Sequence, residues 1–108
     1  MTRSTDTALA AWTAAHPAPA GSFYVLHIYA DHGAGLVLRL GQGGFASPED
    51  ARDAAWLRYF ENPAAYPQGG FEVRLATPYA WAAWSRGDRS RPIDGPAYRF
   101  PPFAADAA

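Results

Sequence analysis

Residues 23–30, FYVLHIYA, form a run of aromatic and β-branched side chains. Gly21 precedes the run and the turn signal Asp31-His32-Gly33-Ala34-Gly35 follows it. Such a run reads as a β-strand. Side chains of a strand alternate between faces, so Tyr24, Leu26 and Ile28 share one face and Phe23, Val25, His27 and Tyr29 the other. Both sets are largely apolar. A strand covered on both sides belongs in the middle of a sheet rather than at its edge.

The flanking patterns supply the remaining elements. Residues 4–15 predict a helix, with Ser4 or Thr5 as cap, Asp6 in the first turn and an apolar stripe of Leu9 and Trp12 that either docks on the domain or takes a partner. His16-Pro17-Ala18-Pro19-Ala20-Gly21 stops that helix and reads as a linker. Leu36–Leu40 alternates as a second strand, with Leu36, Leu38 and Leu40 on one face and Val37 and Arg39 on the other. Residues 41–46 (GQGGFA) read as a flexible turn.

Ser47-Pro48-Glu49-Asp50 then opens a helix. Serine suits the cap, proline the first helical position, and the two acids meet the positive end of the helix dipole. This helix should run to Phe60 or Glu61, where Asn62-Pro63 ends it. Ala51, Ala55 and Tyr59 form one stripe, and Trp56 and Phe60 the next. After a Pro- and Gly-bearing loop, Phe71–Ala76 alternates as a third strand, with Glu72 and Arg74 on its polar face. Thr77-Pro78 repeats the cap-then-proline start, so Tyr79–Ser85 predicts a short helix. Residues 88–102 read as an extended segment over the surface in which Tyr98–Phe100 could add an edge strand, and Ala104–Ala108 as a frayed end.

These elements predict an α+β domain. Its small mixed sheet has three strands in the order 2-1-3, or four if the edge strand forms. One capped main helix lies on one face, with short helices near either end of the chain. The organisation is 1–21 helix and linker, 22–87 core domain, and 88–108 Arg/Pro-rich tail. If the second and third strands run parallel, their helical crossover is right-handed. The leucine-rich face lies under the main helix. The other face carries Phe23, Val25, His27, Tyr29, Val37, Arg39, Glu72 and Arg74, and something must cover part of it.

Composition narrows the function classes. The 108 residues suit a single domain and 49% are hydrophobic, which supports a real core. Cysteine is absent, which excludes disulfides and thiolate chemistry. Net charge is −1, so no global field draws the chain to nucleic acid or anionic lipid. All nine basic residues are arginine, a bias that fits GC-rich codon usage before it fits a site. No apolar run reaches the length of a signal peptide's core or of a membrane span, and the chain reads as cytoplasmic.

Candidate chemistry is sparse. His27, Asp31 and His32 match no metal-ligand spacing, and no metal or other cofactor is called for. Gly41–Gly44 ahead of a helix lacks the phosphate-loop lysine, and Glu49 and Asp50 would repel phosphate there. No nucleophile–base pairing occurs, so the chain reads as a non-enzyme. The richest cluster is Tyr79, Trp81, Trp84, Arg86, Arg89, Arg91, Tyr98 and Arg99, with Phe100 beside it. Tryptophan, tyrosine and arginine are the residue types enriched at protein interfaces. It points to a protein-binding module (an adaptor, an accessory subunit or an inhibitor of a larger complex) that takes a protein partner or a second copy of itself. The alternative is a single-stranded nucleic-acid binder that stacks bases on a sheet face of Phe23, His27, Tyr29, Arg39 and Arg74. The missing basic surplus weighs against it.

Overall fold

A computed structural model describes residues 3–31, 33, 35–66, 70–87 and 91–100. Helix α1 (Arg3–Ala15) leads into strand β1 (Phe23–Asp31) and strand β2 (Leu36–Phe45). Helix α2 (Pro48–Glu61), a 3-10 turn (Pro63–Ala65), strand β3 (Phe71–Ala76), helix α3 (Pro78–Arg86) and strand β4 (Ala97–Phe100) follow. His32, Arg89 and Ala104–Ala108 lie outside the described residues.

The strands form one sheet in the order β2-β1-β3-β4, with β1 flanked on both sides as its two apolar faces require. Every neighbouring pair is antiparallel, so the sheet is not mixed. The reason is that the crossover through α2 skips a strand. β2 and β3 run parallel to each other, but β1 lies between them. Tyr98–Phe100 does add the fourth strand, at the edge of β3.

The main core lies under α2. Leu26, Ile28, Phe71 and Val73 of the sheet pack against Ala51 and Ala55 of the helix. Leu9 of α1 and Tyr98 of β4 share this cluster, with Trp12 and Trp56 packed at its margins. Both predicted caps form: Ser47 Oγ accepts from the Asp50 N–H at 3.1 Å, and Thr77 Oγ1 from the Ala80 N–H at 3.2 Å. Ser4 and Thr5 stand inside α1 rather than ahead of it.

Two expectations about packing are corrected. Register places Leu38 opposite Tyr29 but Leu40 opposite Ile28, which lie on different faces of β1. The leucines of β2 therefore do not share one face, because a bulge at this point inserts an extra residue. On α2, Trp56 packs on the core, while Phe60 is 86% exposed, so the expected Trp56–Phe60 stripe splits.

The glycine stretch is the largest departure. β2 does not stop at Leu40 but continues through Gly41 and Gly43 to Phe45. Gly41 pairs with His27, and Phe45 pairs with Tyr24 across a second bulge that contains Gly44 at φ 85°. The glycines hold a strand here because tryptophans from α3 lie on their bare backbone.

Candidate binding groove and the polar layer beneath it

The sheet's second face is built from one cross-strand row. Register aligns Gly41 of β2, His27 of β1, Glu72 of β3 and Arg99 of β4. Glu72 is 1% exposed yet charged, because four hydrogen bonds converge on it. Tyr29 Oη donates to Oε1 at 2.8 Å, Arg74 Nε to Oε1 at 2.9 Å, and Arg74 Nη2 to Oε2 at 3.1 Å. Arg99 Nε donates to Oε2. Burial alone would push this carboxyl up, but the bonds from Arg74, Tyr29 and Arg99 and the Arg74 charge hold it below the usual carboxylate range. The same contact, after burial, raises the Tyr29 phenol, which stays a donor.

His27 is fully buried beside this layer. Its Nε2 accepts the backbone N–H of Ile93 at 3.1 Å, which assigns the ring proton to Nδ1. Burial drops its pKa to about 4, with the Arg74 charge adding to the shift and Glu72 opposing it. Trp84 meets the imidazole edge-on at 5.7 Å between ring centroids.

These groups hold down a strap, residues 91–96. Arg74 Nη1 donates to the Ile93 carbonyl at 3.1 Å and to that of Gly95 at 3.4 Å. Trp84 Nε1 donates to the Arg91 carbonyl at 2.8 Å, and Leu75 N–H to the Pro96 carbonyl at 3.0 Å. The Ile93 side chain is buried with Val25, Ala76 and Trp84 in a second, smaller core. Gly95 sits at φ 146°, where a Cβ would lie 2.2 Å from the Leu75 carbonyl oxygen, so only glycine lets the strap come this close.

The tryptophans of α3 complete the cover. A Cβ on Gly43 would fall 2.1 Å from Trp81 Cζ3, and one on Gly41 would fall 3.2 Å from Trp84 Cζ2. Glycines two apart on a strand share a face, so this pair forms a flat floor for two indole rings. Phe23 packs against Trp81 at 5.5 Å, and Trp81 against Trp84 at 5.8 Å.

Between α3 and the strap lies an open groove of about 770 Å³. Ala80, Ala83 and Trp84 line one side, and Arg91, Pro92, Ile93 and Asp94 the other, with Tyr79 at the rim. The Tyr79 side chain is 85% exposed.

The expected interface residues divide. Tyr79, Trp84 and Arg91 meet at the groove, and Arg86 is exposed in the last turn of α3. Trp81 is half-buried on Gly43. Tyr98 belongs to the other face, where it packs near Trp12 in the main core, and Arg99 pairs with Glu72. The proposed base-stacking face is covered: His27 is buried, Tyr29 and Arg74 bond Glu72, and Phe23 packs under Trp81. Of that set only Arg39 is exposed, on the edge strand.

Sequence reasoning missed Glu72 as the hub, Gly41 and Gly43 as the floor, and Ile93 as the clasp. The two-residue spacing of the glycines was the available signal. Glu72 has its carboxylate lone pairs occupied by donors, and His27 has its acceptor nitrogen occupied by Ile93. Neither is open to take a proton from a substrate. Among the described residues no group of three or more His, Asp or Glu side chains could hold a metal ion, and no helix is long and apolar enough to cross a membrane. Comparison with known protein families, with curated proteins and with solved structures finds no match to this chain.

Proposed function

We propose that the protein is a non-enzymatic binding module that takes a protein partner in the groove between α3 and the strap. The observation that carries this reading is Tyr79. Its ring is 85% exposed at the rim of the groove, whose lining mixes apolar side chains with Arg91 and Asp94. An aromatic anchor beside an arginine, over a floor of buried apolar side chains, is the arrangement that dominates binding energy at protein interfaces. The layer beneath gives the groove rigid walls, because the strap is fixed to the sheet through His27 and Arg74. Such a module serves as an adaptor, an accessory subunit or an inhibitor of a larger complex. A cysteine-free chain needs no oxidising compartment, and we place its work in the cytoplasm.

The test is capture of partners from the native host with tagged protein, comparing wild type with the double variant Tyr79→Ala/Arg91→Glu. Both side chains are exposed, so the variant should melt within a degree or two of wild type. Loss of the captured protein supports the groove. An unchanged set of partners rejects it.

A further inference from the structure

We infer that residues 91–96 are an acid-released strap: proton uptake at Nε2 of His27 lets this segment lift from the sheet while the main core stays folded. The strap is also one wall of the groove, so its release takes that wall away. This last consequence rests on the groove reading above, whereas the opening itself does not.

The closed strap has no room for a second proton on the ring. Nε2 accepts the Ile93 N–H at 3.1 Å, and a proton there would set donor against donor. Nδ1 is buried and meets no hydrogen-bond partner, so a charged ring would find an acceptor at neither nitrogen. The surroundings do not relieve this. α3 presents the apolar ring of Trp84, and β2 presents Gly41. The acid that acts on the imidazole is Glu72 of β3, and its oxygens are committed to Tyr29 of β1, Arg74 of β3 and Arg99 of β4. Arg74 adds a repelling charge. Arg91 and Asp94 of the strap are exposed on the groove side.

The position of the strap lets it open by itself. α3 ends at Arg86, held through Trp81 on Gly43 and Phe23, and β4 begins at Ala97, next to Tyr98 in the main core. Both ends are therefore tied down independently of His27. The strap buries Ile93 in the smaller core with Val25, Ala76 and Trp84, on the other side of the sheet from the main core. The pairing of β1 with β3, Phe23–Ile28 against Phe71–Ala76, uses none of residues 91–96. Lifting the strap gives up the smaller core and leaves the sheet and α2 in place. Once it lifts, His27 binds a proton as an ordinary imidazole does, near 6.5, against about 4 under the closed strap. Opening is thereby coupled to proton uptake and grows as pH falls.

Amide hydrogen exchange on the full chain at about pH 7.5 and about pH 5 tests this, with each rate divided by that of an unstructured peptide at the same pH. Protection of the Ile93 N–H should fall about 30-fold between the two, the change that the open and closed pKa values give. The Trp84 indole N–H, bonded to the Arg91 carbonyl, should lose protection in parallel. At both pH values the Leu26 and Val73 N–H groups, on paired central strands, should stay about tenfold or more better protected than Ile93. His27→Gln keeps an acceptor for Ile93 and does not titrate, so its Ile93 protection should be the same at both.

Ile93 protection that does not change with pH in the wild type overturns the inference. So does Ile93 protection equal to that of Leu26 and Val73, since the strap would then open only with the whole fold. A loss that persists in His27→Gln overturns His27 as the switch. If that variant does not fold, the two wild-type comparisons decide alone. Each of these failures leaves the groove reading in place, because that reading is tested by partner capture with Tyr79→Ala/Arg91→Glu.

Discussion

The backbone N–H of Ile93 donates to Nε2 of His27, a buried imidazole 66 residues earlier in the chain. This bond closes the strap over the sheet, and it requires a neutral ring. Its pH dependence has a definite sign. The ring's folded pKa lies near 4 against an ordinary 6.5, so the unfolded chain binds the extra proton first. The stability it confers is complete above about pH 6.5 and is lost as pH falls toward 4. Between about pH 6.5 and pH 5 the loss should be about 1.5 kcal/mol, the slope reaching about 1.4 kcal/mol per pH unit only below the unfolded pKa. Urea midpoints across that range give the measurement. His27→Gln keeps an acceptor for Ile93 but does not titrate, and its midpoint should stay level. A wild-type midpoint that does not move over this range refutes the buried neutral histidine.

Glu72 should be the costliest polar residue to neutralise. Glu72→Gln leaves Arg74 and Arg99 facing an uncharged group inside the fold. Removing one partner of a buried ion pair costs about 3–5 kcal/mol. Arg99 is 38% exposed, so solvent screens it and Arg99→Ala should cost no more than about 1 kcal/mol. Chemical denaturation at neutral pH separates the two. Equal losses would mean that the carboxylate is not the centre of the network. The depressed carboxyl pKa adds an acid limb: its contribution is present above the usual carboxylate value and disappears as pH falls through the lower, folded one.

The parts of this fold that can be read along the chain are those set by local chemistry. Ser47-Pro48 and Thr77-Pro78 mark two helix starts because cap and proline act within one turn. The FYVLHIYA run places β1 centrally because alternation shows both its faces apolar. What cannot be read is set by partners distant in sequence. Gly41–Gly44 looks like a turn until Trp81 and Trp84 are known to lie on it. Trp84 and Tyr98 read as neighbours on one aromatic–arginine surface. Register, however, places Tyr98 opposite Val73 on the main-core face, while Trp84 covers the other face. Strand alternation puts Glu72 and Arg74 on the correct side, but it gives no sign that residues 91–96 return to close over them.

The caps should each be worth about 1 kcal/mol, through one hydrogen bond to an otherwise unpaired helix N–H. Ser47→Ala should lower global stability by that amount, because α2 roofs the main core. Thr77→Ala should do the same while loosening α3 first, seen as faster amide exchange at Ala80, whose N–H loses its acceptor. Exchange at Ala80 that is unchanged in Thr77→Ala would show that the threonine does not hold this end of the helix.

Gly43 and Trp81 should be energetically coupled. Gly43→Ala places a methyl 2.1 Å from Trp81 Cζ3, so the indole must swing away from the sheet. Overpacking of this kind costs about 1–3 kcal/mol. Gly41→Ala meets Trp84 at 3.2 Å and should cost less, as that ring has only to shift slightly. Trp81→Ala removes the obstacle, so Gly43→Ala added to it should cost little. The double-mutant cycle should then return a coupling of about 1 kcal/mol or more. Gly44→Ala is the internal control. Nothing lies within 4 Å of its would-be methyl and its strain comes from φ 85° alone, so its cost should be the same with or without Trp81. Additive losses for Gly43 and Trp81 would mean that the ring does not lie on that glycine, and the floor of the second face would have to be redrawn.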